Sequence, residues 1–382
     1  MLQAVEPTPD RGLHHVPTAR PRAPRRVLIV SGSVGAGHDG AARELADRLR
    51  RAGVEVDVRD FLDAVPAWLR WTLRDGYATS LRWMPAFYEL LFRRLEGEGW
   101  CWAGERWISQ LAAATIGRWC RGSRADLVVS TYPLASQTLG GMRAAGELAV
   151  PVLTYLTDPA VHSSWLHEGV DEHLTVTEGT AEQGRREYRA SFTVAGPLVP
   201  ARFAAPVDAS TLLAVRAELG LTGGGPVALL VAGSLGCGDV STAVRDVAAA
   251  GFTPLVLCGR NEELRGRLSR EPGTHALGWR SDVHVLMRVA DVLVHNAGGL
   301  SFTEATTSGL PAITYRPIPG HGRANARVLH ETGLAPWAHD ADELARLLHA
   351  SLREPRAATA APDPSRVVLA ALDAAAAAGL AA

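Results

Sequence analysis

Short, continuously apolar runs alternate with amphipathic stretches along most of the chain, a pattern that predicts an α/β fold. Residues 27–31 (VLIVS) are the first such run, of the kind buried on both faces in a parallel sheet. A glycine-rich loop follows, and Ala42, Leu45, Ala46 and Leu49 then recur at helical spacing until Gly53 ends the helix. Further strands are predicted at 54–58, 126–130, 152–156 and 173–176. After the AGPLVP turn at 195–200 and the glycines at 223–225, a second series starts, with strands at 227–232, 254–258, 274–277, 291–295 and 311–315. Two α/β domains joined near 196–225 would face each other across a cleft with the carboxyl ends of both sheets, a place to bring two substrates together. The expected division is a disordered arm over 1–24, an N-terminal domain over 25–200 with a helical insert at 66–121, a C-terminal domain over 201–358 and a closing helix over 359–382.

Length supports that division, since 382 residues exceed what one hydrophobic core usually serves. A formal net charge of −1 excludes a nucleic-acid binder driven by global charge. All 39 basic residues are arginine, which removes Schiff-base lysine chemistry and a Walker-type phosphate lysine. Four scattered cysteines without paired metal spacing read as reduced thiols of a cytosolic protein. Residues 1–24, rich in Pro and Arg with no apolar core, do not read as a signal peptide, and no run approaches the roughly 20 apolar residues that span a bilayer.

Chemistry concentrates in residues 292–327, VLVHNAGGLSFTEATTSGLPAITYRPIPGHGRANAR. Gly298 and Gly299, between a strand end and a helix start, let backbone N–H groups approach an anion at the positive end of the helix dipole. Glu304, one turn into that helix, can accept hydrogen bonds from ribose hydroxyls, so a nucleoside diphosphate fits beside Asn296. An isolated Gly-Gly there is more often an ordinary tight turn. Three more loops that follow strands of the same sheet, carrying Gly233 and Ser234, Gly259 and Arg260, and Gly278 and Trp279, turn it into a coherent donor site. Gly35, Gly37 and Gly40 also have G-x-G-x-x-G spacing, with Asp60 twenty residues beyond, so an NAD-dependent oxidoreductase has to be considered. His38 stands against it, because a pyrophosphate at that turn needs a small residue. A histidine at a helix N-terminus is instead suited to act as a neutral general base. In TDPAVHSSWLH, Asp158 and His162 read as polar groups of the cleft and His167 as structural; their spacing is not that of a zinc site.

Seven of the ten tryptophans, among them Trp68, Trp71 and Trp83, fall between residues 66 and 121 and are interleaved with arginines. Indole and guanidinium on one amphipathic surface suit an anionic membrane interface. Packing as the core of a helical subdomain is the competing reading.

SGSVGAGHDGAARELA, TDPAVHSSWLH and HNAGGLSFTEATTSGLPAITYRPIPGHGRANA, in this order over roughly residues 25–355, resemble the monogalactosyldiacylglycerol synthase family and its bacterial diacylglycerol glucosyltransferase relatives. A more distant resemblance is to the N-acetylglucosaminyltransferase that forms lipid II. The resemblance implies two Rossmann-like domains facing across a cleft (the GT-B arrangement), a UDP-sugar in the C-terminal domain, and inversion at the anomeric carbon with no cofactor and no bound metal. His38 then matches the general base, and Asp158, read above as a polar group of the cleft, is taken with it as a catalytic residue. Gly298 and Gly299 match the diphosphate turn, Glu304 the ribose carboxylate, and Pro319, Gly320, His321 and Asn325 the loop facing the sugar. Gly35, Gly37, His162 and the tryptophans fall on the acceptor side. Plant galactolipid enzymes and lipid II enzymes carry glutamine-type residues in that loop, where this chain has His321, Gly322 and Arg323, which leaves the sugar open. The expected activity is hexose transfer from a UDP-sugar to a lipid, diacylglycerol first and a polyprenyl lipid or soluble metabolite behind it, peripherally at the inner face of the plasma membrane and without a nucleic-acid partner. A UDP-sugar epimerase of the same architecture and a non-catalytic nucleotide-sugar binder are the remaining alternatives.

Overall fold

The computed structural model describes residues 25–76, 100–221, 223–353, 356 and 361–381. The N-terminal sheet comprises β1 (Arg26–Ser31), β2 (Glu55–Asp60), β3 (Leu127–Ser130), β4 (Val152–Tyr155), β5 (Glu172–Thr175) and β6 (Thr193–Val194). The order is β2-β1-β3-β4-β5-β6, and every pair is parallel. β1, β3 and β4 are buried along nearly their whole length, as their unbroken apolar sequences require.

The C-terminal sheet comprises β7 (Val227–Val231), β8 (Thr253–Leu257), β9 (His275–Leu277), β10 (Val292–His295), β11 (Ala312–Tyr315) and β12 (Trp337–Ala338). Its order, β12-β11-β10-β7-β8-β9, is again wholly parallel. The ten strands expected from the apolar runs all form. The two that escape that pattern, β6 and β12, have two residues each and sit at sheet edges, too short to carry a periodicity. In each sheet the strand order reverses direction once, between β1 and β3 and between β7 and β10, and a crevice opens at the carboxyl ends there.

Separate cores fill the two halves, with one departure from the expected division. The helix Pro364–Ala381 returns to the N-terminal domain, where Val368 and Leu372 pack with Val27, Ile29, Leu45 and Leu49. The outgoing and returning crossings lie against each other: a Cβ on Gly196 would stand 2.1 Å from the Pro362 carbonyl oxygen. Arg48 ties them to the first helix, Ala36–Arg51. Its guanidinium donates to Glu44 at 2.7 Å, to Asp363 at 2.9 Å and to the Val199 carbonyl at 2.7 Å.

Candidate active site

A cleft of about 1030 Å³ runs between the domains, and both crevices open into it. On the N-terminal side, the loop after β1 delivers His38 in the first turn of the helix Ala36–Arg51. His38 Nδ1 lies 2.8 Å from the Thr131 carbonyl oxygen, at the end of the neighbouring β3, and 3.0 Å from Thr157 Oγ1. A carbonyl only accepts, so Nδ1 carries the proton and the lone pair of the neutral ring is at Nε2. Tyr132 meets the ring edge-on at 5.2 Å and Trp165 lies 5.8 Å away. Burial lowers the His38 pKa below its ordinary value, against the opposing pull of the Asp158 charge and the Thr131 hydrogen bond. The ring is therefore neutral at pH 7, with a free acceptor nitrogen.

The glycines of this loop do not build a nucleotide fingerprint. Gly37 and Gly40 lie inside the helix, and a Cβ on Gly40 would come within 3.2 Å of Leu300 in the opposite domain. Asp60 is held by the loop itself, accepting from Ser33 Oγ at 2.5 Å and the Leu62 N–H at 2.9 Å. Their spacing serves domain apposition and loop closure, which accounts for the G-x-G-x-x-G match without a dinucleotide.

Asp158 stands between His38, His162 and His321. Its Oδ2 accepts from Trp165 Nε1 at 3.1 Å and lies 3.7 Å from His162 Nε2. Burial acts to raise this carboxyl, but contact with His162 and the nearby charges of His321 and His38 prevail and hold it far below the usual carboxylate range. His162 and His321 both line the cleft. His167 does not; its ring fills the space against Gly140 and takes the Gly169 N–H at 3.0 Å, a structural role as expected. Among the described residues no group of three or more His, Cys, Asp or Glu side chains converges as a metal site.

Across the cleft, Gly298 and Gly299 open the helix Gly299–Thr307, and the left-handed residue of the turn is Ala297, at φ +73°. His295 holds that conformation by accepting the Ala297 N–H on Nδ1 at 3.2 Å, while Nε2 meets Thr314 Oγ1 at 3.2 Å. The two glycines differ in purpose. A Cβ on Gly298 meets nothing within 4 Å and would enter the cleft, whereas one on Gly299 would stand 2.1 Å from the Thr157 carbonyl oxygen of the other domain. Glu304 faces the cleft with no hydrogen-bond donor among the described residues, and burial pushes its pKa up to about 8, with the Arg202 charge pulling the other way. An unpartnered carboxyl so placed suits an incoming pair of hydroxyls.

Gly233, Ser234, Gly259, Gly278 and Trp279 also line the cleft. Their loops brace one another: Arg260 N–H donates to the Ser234 carbonyl at 3.0 Å, and Asn296 Nδ2 donates to the Cys237 carbonyl at 2.9 Å. Asn296 thus spends its amide group on the protein, although it remains at the cleft wall. Arg260 lies outside the lining, its guanidinium 5.0 Å from the centre of the half-exposed Trp279 ring. Pro319, Gly320 and Asn325 stay behind the lining, and His321 is the member of that loop that reaches it. Asn325 corrects the sequence-based expectation most clearly, because it is 1% exposed and its side chain is consumed by protein contacts.

Trp68 and Trp71 are 57% and 63% exposed and do not line the cleft. Trp107 and Leu111 are exposed as well, and Trp68 and Trp107 lie 5.8 Å apart. Trp119 packs instead against the N-terminal core, so the aromatic stripe divides between surface and interior. Trp83 lies outside the described residues, as do the side chains of Trp100 and Trp102. Sequence reasoning missed Thr131, Tyr132 and Thr157 around His38, and Arg202 near Glu304. Thr131 and Tyr132 follow β3, the strand that turns out to neighbour β1, a fact of sheet order that apolar runs do not carry.

Comparison with known proteins agrees with this geometry. Residues 38–189 match the family model of monogalactosyldiacylglycerol (MGDG) synthase. The processive diacylglycerol beta-glucosyltransferase of Bacillus pumilus is 24% identical over 331 residues, covering 81% of this chain and 82% of the relative. That of Bacillus cereus ATCC 14579 is 23% identical over 86% of both chains. Among solved structures, Acinetobacter baumannii MurG superposes with a TM-score of 0.54 at 18% identity, over 92% of this chain and 100% of its own. The spinosyn rhamnosyltransferase SpnG gives 0.58 at 17% identity, over 91% and 100%. At such identities the structural likeness is one of fold. Over residues 38–189 the chain is thus similar to the monogalactosyldiacylglycerol synthase family, within a two-domain GT-B fold shared with MurG and SpnG.

Proposed function

We propose that this chain is an inverting glycosyltransferase that moves a hexose from a UDP-sugar to a membrane lipid, diacylglycerol before others. One observation carries the reading: a neutral histidine with a free Nε2 and the glycine-opened end of a helix face the same cleft from opposite domains. The acceptor hydroxyl gives its proton to His38 Nε2 as its oxygen bonds to the anomeric carbon. The bond from that carbon to the β-phosphate oxygen breaks on the opposite face, and UDP leaves with the electron pair. Backbone N–H groups at Gly298 and Gly299 and the helix dipole meet the charge on the departing diphosphate, so the proposal includes no metal ion. Glu304 accepts from the ribose hydroxyls.

Two features support a lipid acceptor. The named relatives are diacylglycerol glucosyltransferases, and exposed Trp68, Trp71 and Trp107 form an apolar surface on the domain that holds His38. No helix among the described residues is long and apolar enough to cross a membrane. We therefore infer peripheral attachment to an anionic surface at the inner face of the plasma membrane. The test is a panel of UDP-hexoses presented with diacylglycerol in phosphatidylglycerol-containing vesicles, reading UDP release and product mass together. A glycosylated diacylglycerol is expected. UDP release without a lipid product, or with a soluble acceptor alone, overturns the acceptor assignment.

A further inference from the structure

Asn325 makes a buried polar junction between the two halves, on residues of the catalytic side. It lies in the second turn of the helix His321–Glu331, in the C-terminal domain, and is buried. Its Oδ1 accepts the Ala160 N–H at 2.9 Å. Its Nδ2 donates to the Ala297 carbonyl at 3.1 Å and reaches Asp158 Oδ1 at 3.4 Å. Ala297 belongs to the glycine turn proposed for the diphosphate, and Asp158 and Ala160 belong to the other domain. The junction needs one acceptor and two donors within the reach of a short side chain, a combination only a carboxamide supplies. The same two segments touch at Gly299, whose missing Cβ makes room for the Thr157 carbonyl. Thr157 in turn contacts His38 Nδ1.

We infer that Asn325 is a positioning residue of the transfer reaction: it locks the segment 157–160, which orients His38 and Asp158, to the turn that receives the donor. It does not touch the sugar. Donor turn and base are thereby held in one frame, and the distance from Nε2 to the anomeric carbon is set by this junction more than by either domain alone. The inference rests on the reading of the cleft as a glycosyltransferase site.

The roles separate in a split of kinetic effects. N325A leaves the donor-binding groups in place, so UDP affinity measured by calorimetry should stay within about threefold, while kcat at saturating substrates falls by about ten- to a hundredfold, the scale of a small misplacement of reacting groups. Retained UDP binding also reports that the donor half is folded. A carboxylate at 325 puts two acids side by side, and exchanging the partners restores the cross-domain hydrogen bond between 325 and 158, though not the bond to the Ala297 carbonyl. D158N/N325D should therefore be at least about fivefold more active than the product of the two single effects requires. Weakened UDP binding with unchanged kcat would make Asn325 a donor contact and overturn the inference. Effects of D158N and N325D that simply multiply would overturn it too. If the wild-type chain glycosylates no lipid, the acceptor proposal fails, and the same variants are compared on slow hydrolysis of the UDP-sugar, so the two failures remain distinct.

Discussion

At the scale of single residues, two ionisable groups define opposite sides of the cleft, and both are moved by burial. Because the His38 pKa is lowered, its neutral form persists below the usual histidine range. The acid limb of kcat/KM should accordingly fall below pH 6.5, with activity lost as pH drops through the lowered value and protonation removes the Nε2 lone pair. His38→Ala should cost about 10²–10⁴-fold in kcat while UDP affinity is kept; turnover close to wild type would remove His38 from the mechanism. Glu304 shifts the other way, to about 8, and is mostly protonated at pH 7 before ligand arrives. Ribose hydroxyls donating to it favour its ionised form, so UDP binding should release up to about one proton at pH 7. Calorimetry in two buffers of different ionisation enthalpy measures that number. Glu304→Gln should abolish the release and weaken binding by about 1–3 kcal/mol. Proton release that persists in the variant would place the titration elsewhere.

Between elements, the decisive contacts are made where a side chain is missing. Gly299→Ala drives a methyl into a backbone carbonyl of the other domain, so a loss of about 1–3 kcal/mol in stability is expected, together with weakened UDP binding. Gly298→Ala, at φ −71° with open space around it, should leave the unfolding free energy within about 0.5 kcal/mol of wild type. Equal effects of the two substitutions, measured by urea unfolding, would contradict the geometry. These neighbours are identical in sequence, and only the apposition of domains tells them apart. The same limit accounts for what was legible beforehand. Strands β1, β4 and β10 are visible because a strand buried on both faces has to be apolar throughout. His38, Glu304 and the glycine turn are visible because they follow such strands. The family resemblance puts Asn325 in the sugar-facing loop, and a polar side chain in a Gly- and Pro-rich loop carries no mark of the burial that the structure gives it. Arg202 gave no signal in a chain whose basic residues are all arginine.

For the whole molecule, burial of neutral histidines in both sheets sets a sensitivity to acid. His173 in β5 and His295 in β10 are each pushed down to about 4 by burial, whereas an unfolded histidine titrates near 6.5. The unfolded chain thus binds more protons between those values. The stability these residues contribute is complete above pH 6.5 and is lost as pH falls toward 4, by at most about 1.4 kcal/mol per pH unit for each. Urea titrations at pH 7, 6 and 5 should show this decline, and His295→Asn should flatten it; a midpoint independent of pH would contradict the assignment. The crossings between the domains give the molecule a single joint, fastened by Arg48, so Arg48→Met should loosen both at once and leave Glu44 with weaker pairing. The return of the last helix to the first domain also governs the order in which the molecule can be made. Val368 and Leu372 complete a core whose other members lie between residues 27 and 198, so that core stays open until the helix Pro364–Ala381 has left the ribosome. The donor half, with its own cores between residues 199 and 348, can close earlier. The second domain can thus finish first, and a chain cut short after residue 356 is expected to keep the UDP affinity proposed for that half while its first domain stays half-built.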